Sequence, residues 1–284
     1  MVAACIREAN RIYRLWCANN PGFERYGRVH VIAHSLGSVM ALDILSNQPT
    51  HVSPDLGSPN MPEEMLPTNH FLFDTHCAFL CGSPAGFFLL LKNSTLLPRR
   101  GRDKPGAEDV MDPSVVGEQY TYGCLAVDNL YNIINPYDPI AYRMNATVDA
   151  TYSAALKPAF IPSATKGWFS NPFRSSVSSG DKAIVVKPHV PRLPSTVELE
   201  THNFSREEIA ERKAYLLNDN GQIDYYMKYG GGALEIQYLT MLGAHSSYWL
   251  SVDFTRMIVQ EIGRPFGRQG TLLQMRAEKK KQPV

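Results

Sequence analysis

The chain has 284 residues, 44% hydrophobic, 19% charged and 10% aromatic, which excludes disordered and fibrous classes and fits one large α/β domain. Twenty-eight Lys+Arg against 27 Asp+Glu leave a net charge of +1, so no global field draws nucleic acid and no nucleic-acid partner is expected. Five cysteines (Cys5, Cys17, Cys77, Cys81, Cys124) are odd in number and scattered, a pattern of reduced intracellular thiols rather than of a secreted disulfide framework. Cys77 and Cys81 lack a second pair to complete a zinc site. Arg7, Glu8 and Arg11 interrupt the N-terminal stretch before a leader core forms. The longest apolar run, residues 77–91, is broken by Gly82, Pro84 and Gly86 and is too short to span a bilayer. A soluble or at most membrane-associated chain is expected.

In chain order, Ile6, Ala9, Ile12, Tyr13 and Trp16 recur at helical spacing, predicting an amphipathic helix over residues 3–16 that stops at Asn19-Asn20-Pro21-Gly22. Residues 29–33 are a β-branched strand, His34 to Ser38 a tight turn, and residues 39–45 a buried helix. Five prolines between 47 and 69 mark a surface excursion. A second strand is expected over 76–81, a charged Gly/Pro loop over 99–106, and a third strand over 128–135, closed by Pro136-Tyr137-Asp138-Pro139. Residues 162–202, rich in Ser, Pro, Gly and Lys, read as a flexible insertion. Further strands are expected at 222–227 and 234–238. Ser251 or Asp253 is a candidate cap for a helix over 254–262. The end, 276–284, reads as a solvated basic tail. Helix, strand, turn and helix in this order predict a mostly parallel sheet with helices on both faces.

Ala33-His34-Ser35-Leu36-Gly37 is small-X-Ser-X-Gly between a strand and a helix. On such an elbow the serine is exposed on a strained bend, and small residues two before and two after it avoid the strand and helix. Serine is a poor nucleophile unless a histidine takes its proton and an acid fixes that histidine. In the chain order Ser, Asp, His, the candidates are Ser35, Asp138 after the third strand, and His245 before the last helix. An Asx-turn aspartate is the competing reading of Asp138, and a structural histidine that of His245. His34 is the nearest rival histidine, but its side chain is expected to point off the elbow.

The elbow, together with Gly82-Ser83-Pro84, Asn135-Pro136-Tyr137-Asp138-Pro139-Ile140-Ala141-Tyr142-Arg143, Ile223-Asp224-Tyr225 and His245-Ser246-Ser247-Tyr248-Trp249, resembles the DDHD-domain proteins, the intracellular phosphatidic-acid-preferring phospholipases A1 and their relatives. The resemblance covers nearly the whole chain apart from residues 47–69, 92–118 and 162–202. It implies an α/β-hydrolase-like fold and cleavage of a glycerophospholipid acyl ester by Ser35. It also implies a cytoplasmic location, peripheral on intracellular membranes; no cofactor is expected, the alternative being a divalent metal ion, which the family has been suspected of binding. The four residues naming the domain would be Asp138, Asp224, His245 and Asp253. Together they could hold a divalent metal ion, in an alternative to the triad; otherwise Asp224 bonds within its strand and Asp253 caps its helix. A different class of reading is a non-catalytic trafficking scaffold that binds phosphoinositide or a coat component.

An oxyanion hole would use the Leu36 backbone N–H and a second donor from an earlier loop. Few residues precede the nucleophile strand, so the sheet is expected to lack its first strands. The chain is then expected to be a single domain over 1–284, incomplete at its N-terminus and weakly active or inactive alone. The run Phe87-Phe88-Leu89-Leu90-Leu91 reads as buried core or, through Phe87 and Phe88, as the lining of an acyl-chain site. Trp168, Phe169 and Phe173, set among Lys166, Arg174 and Lys182, are candidates for dipping into an anionic bilayer. Oligomeric state is not legible.

Overall fold

The computed structural model describes residues 1–107, 110–163, 205–228 and 243–280. The insertion expected over 162–202, apart from its first two residues, and the strand expected at 234–238 lie outside them. Five parallel strands form the central sheet in the order β1-β2-β5-β7-β6: β1 (Val29–His34), β2 (Thr75–Cys81), β5 (Val127–Ile134), β6 (Ala159–Phe160) and β7 (Asp224–Tyr226). Two-residue strands β3 (Leu97–Pro98) and β4 (Cys124–Leu125) pair separately. Strands buried on both faces need apolar runs rather than alternation, which is how Cys77 to Cys81 announced itself; β1, at the sheet edge, is only partly buried and Ile32 is exposed.

Alternate residues divide the sheet between two cores. Ala33, Ala78, Leu80 and Leu130 face α3 (Leu36–Asn47) and α7 (Arg206–Leu217), meeting Leu42, Leu45, Ala210, Ala214 and Leu217. Cys77, Phe79, Tyr131, Ile133 and Tyr225 face α8 (Val252–Gly263), meeting Phe254 and Met257. A third cluster seats α1 (Val2–Asn19) through Ile6, Tyr13 and Cys17 against Ile44, Phe71, Leu72 and Phe73. Its buried stripe differs from the one read in the sequence. Ile12 and Trp16 are exposed, while Asn10 is buried, donating from Nδ2 to the His70 carbonyl and accepting from the Leu72 N–H.

The charged Gly/Pro loop at 99–106 is a loop as expected, and its Arg99, Arg102 and Lys104 are buried. Arg99 donates to the carbonyls of Leu45, Ser46, Gln48 and Cys124, closing the carboxyl end of α3 where unsatisfied carbonyls attract a cation. Arg102 and Lys104 lie against Asp128 and Asp219. At the other terminus, Glu278, Lys279 and Lys280 are exposed while their backbone is tied to the domain. Ala277, Lys157 and Lys280 donate backbone N–H groups to Asn220, Glu278 and Ala155, and Lys279 pairs with Glu207 and Glu211. The sequence reading assigned nothing to α7. Its start carries a capping box, Ser205 with Glu208, each side chain bonded to the other's backbone N–H, a signal that Ser-x-x-Glu offers in the sequence itself.

Candidate active site

Ser35 sits between β1 and α3 at φ 54°, ψ −130°, a region that costs a non-glycine residue roughly 1–3 kcal/mol and persists only where the surroundings enforce it. The restraints here are local. The Ser35 N–H bonds to the Cys81 carbonyl at 3.0 Å. Ser38 donates from Oγ to the Ser35 carbonyl at 2.5 Å and shares a 2.6 Å hydrogen bond with Ser83 Oγ. Ser83 Oγ in turn accepts from the Ala85 N–H at 3.0 Å. The elbow is thereby tied to the end of β2. Its steric rule holds in part: Ala33 is buried, whereas a Cβ on Gly37 would meet nothing within 4 Å beyond its neighbours and its own helix.

Asp138 follows β5 in a stiffened turn. Its N–H bonds to the Asn135 carbonyl, and Tyr137 N–H bonds to Asn135 Oδ1, each at 3.0 Å. Asp138 Oδ1 accepts from the Ile140 N–H at 2.9 Å, so the Asx-turn reading is right, and the same carboxylate also meets a histidine. His245 Nδ1 lies 3.0 Å from both carboxylate oxygens, and its Nε2 lies 2.8 Å from Ser35 Oγ. A carboxylate only accepts, so Nδ1 carries the proton and Nε2 is free to accept from the serine hydroxyl. Ser35, His245 and Asp138 thus form one hydrogen-bonded chain at the carboxyl ends of the strands, where open α/β sheets place their ligands.

Several residues around this chain had no role in the sequence reading. Tyr248 donates from its hydroxyl to Asp138 Oδ2 at 2.8 Å. Asn135 Nδ2 holds Ser247 Oγ at 2.8 Å, anchoring the His245 segment to β5. His34 does not point off the elbow. Its Nε2 donates to the His245 carbonyl at 2.5 Å, and its ring lies 4.6 Å from the His245 ring centroid. Gly82 has φ 54°, and a Cβ there would stand 2.7 Å from Asp138 Oδ2 and 3.1 Å from His245 Nδ1.

The four acidic and histidine residues of the alternative metal set do not converge. Only Asp138 and His245 meet. Asp224 is fully buried on β7, accepting from Asn132 Nδ2 and from the backbone N–H groups of Met144 and Asn145; burial pushes its carboxyl above the ordinary range. Asp253 lies in the first turn of α8, and the cap of that helix is Ser251, whose Oγ accepts from the Phe254 N–H. Among the described residues no group of three or more His, Cys, Asp or Glu is placed to hold a metal ion. The donor set does not fit the cation.

The Leu36 N–H stands at the first position of α3, where helix amides have no partner within the helix. Phe87 and Phe88 lie on α4 (Ala85–Leu91), their rings edge to face, with Phe87 5.4 Å from the ring of Tyr142. The core reading of this run holds for Leu89 alone of its last three leucines, because Leu90 and Leu91 are exposed.

A parallel sheet flanked by helices on both faces, with a serine on a strand–turn–helix elbow, defines an α/β-hydrolase-like protein. The DDHD domain model matches residues 71–196 and 193–263, and the chain belongs to that family. The match takes in Asp138, Asp224, His245 and Asp253 and begins after the elbow. Among curated proteins, the chain is 26% identical over 288 residues to a probable mitochondrial phospholipase of Schizosaccharomyces pombe, covering 92% of this chain and 35% of that protein. It is 24% identical to a probable mitochondrial phospholipase of Saccharomyces cerevisiae, covering 90% of this chain and 31% of that protein. To phospholipase DDHD1 of Homo sapiens it is 26% identical, with 54% and 20% covered. The chain therefore spans about a third of the length of the two yeast relatives. No solved structure matches it. Among the described residues no helix is long and apolar enough to cross a membrane.

Proposed function

We propose that the chain is a serine-dependent carboxylic-ester hydrolase acting on acyl esters of glycerophospholipids, phospholipase A1-like in type. The carrying observation is the unbroken chain from Ser35 Oγ through His245 to Asp138, and the relatives named phospholipases supply the substrate class. Ser35 attacks the acyl carbonyl while Nε2 of His245 takes its proton, and Asp138 stabilises the imidazolium through Nδ1–H. The Leu36 N–H is one donor to the developing oxyanion. His245 then returns its proton to the leaving glycerol oxygen, and water, deprotonated by the same imidazole, releases the fatty acid. Phe87, with Phe88 behind it, is assigned to acyl-chain contact, and the reaction is placed at a membrane surface with the chain bound peripherally. A fluorophosphonate probe tests this reading: it is expected to label the protein and to spare Ser35→Ala. Equal labelling of both proteins, or of neither, would refute it.

A further inference from the structure

Tyr248 has a donor and acceptor arrangement that admits one solution. The Asn135 backbone N–H lies 3.0 Å from the phenol oxygen, and an amide can only donate, so the oxygen accepts there. Its own proton is then directed to Asp138 Oδ2 at 2.8 Å. Both side chains are fully buried, so water does not compete. Burial, with the Asp138 charge adding to it, holds the phenol well above its usual range, in line with its role as a donor. Gly82 backs the carboxylate closely, so that a Cβ there would stand 2.7 Å from Asp138 Oδ2.

We propose that Tyr248 is a positioning residue for the Asp138–His245 pair, fixing the carboxylate and setting how firmly the imidazole holds its proton. This rests on the reading of that pair as the base and its orienting acid. A carboxylate with one oxygen engaged by a strong donor offers less charge to the imidazole, and removing the donor makes the carboxylate a better partner for the imidazolium. Among the described residues, ionisable groups near the pair include Tyr137 beside Asp138, His34, tilted against His245 from β1, and Cys81 on β2, whose thiol burial pushes up to about 12.

Tyr248→Phe keeps the ring packed against Phe254 and removes only the hydroxyl. In the full chain, the His245 titration followed by nitrogen-15 NMR is expected to move up by roughly half to one pH unit. The acid limb of fluorophosphonate labelling should move with it. A tyrosine that only filled space would lower the melting temperature and leave the midpoint where it was, and that result would overturn the inference. Site-specific 3-fluorotyrosine at 248, a stronger donor, is expected to shift the midpoint down, so the idea stays testable if Tyr248→Phe does not fold. The NMR midpoint is read without turnover. Loss of Ser35-dependent labelling would therefore strike the proposed function, and an unmoved midpoint would strike this inference alone.

Discussion

Gly82→Ala puts a single methyl group against the reactive chain. At φ 54° an L-residue costs roughly 1–2 kcal/mol. The added Cβ would also stand 2.7 Å from Asp138 Oδ2, 3.0 Å from Tyr248 Cε2 and 3.1 Å from His245 Nδ1, and relieving such overlap in a packed site costs about 1–3 kcal/mol. Together these give about 2–5 kcal/mol, or a fall in melting temperature of roughly 5–15 °C for a chain of this size. Because the carboxylate and imidazole must yield by a few tenths of an ångström, fluorophosphonate labelling of Ser35 is expected to slow by about tenfold or more. Gly37→Ala is the internal control, since its Cβ meets nothing within 4 Å; there stability should hold or rise by up to about 1 kcal/mol. Thermal melts and labelling rates on both variants check the reasoning. Wild-type melting and labelling in Gly82→Ala would refute it.

Arg99→Met removes the donor shared by four carbonyls and should cost about 3–5 kcal/mol in urea unfolding. Arg99→Lys should recover only part, because an ammonium lacks the planar fork. His30 is half-buried, and burial, followed by the neighbouring His76, lowers its pKa from the ordinary 6.5 to about 4. Between those values the unfolded chain binds more protons, so this contribution to stability is full above pH 6.5 and is lost as pH falls towards 4. Urea midpoints measured across that window should fall less steeply in His30→Leu. Asp224→Asn presents donors to the N–H groups of Asn132, Met144 and Asn145 and should cost about 2–4 kcal/mol. Labelling of Ser35 per folded molecule should be unchanged; labelling lost at an unchanged melting temperature would show that Asp224 serves the reactive site.

The frame and the three site positions were legible because each obeys a local rule. Parallel strands buried on both faces leave apolar runs, the elbow has a fixed strand–turn–helix context, and Asp138 and His245 lie between elements where loops carry chemistry. What the sequence hid depends on partners distant along the chain. Arg99, Arg102 and Lys104 look like a solvated loop until the carbonyls of residues 45–50 and the carboxylates of Asp128 and Asp219 are in place around them. Tyr248 and His34 look like apolar filler and elbow spacer, because a hydroxyl 110 residues from its carboxylate leaves no periodicity to read. Asp224 shares the type of Asp138 but meets backbone amides instead of an imidazole, a distinction that only the register of β5 beside β7 decides.

Three buried cations pair with acids at the starting ends of the strands: Arg102 with Asp128, and Lys104 and Arg264 with Asp219. The serine, imidazole and carboxylate occupy the finishing ends. One sheet therefore has two poles, one cemented by buried ion pairs and the other carrying a strained hydroxyl beside the His245–Asp138 pair. Damage at the first pole erodes the amount of intact protein, and damage at the second alters what each intact molecule can do. A mutational scan that recorded abundance and turnover separately would resolve them as two bands on one map.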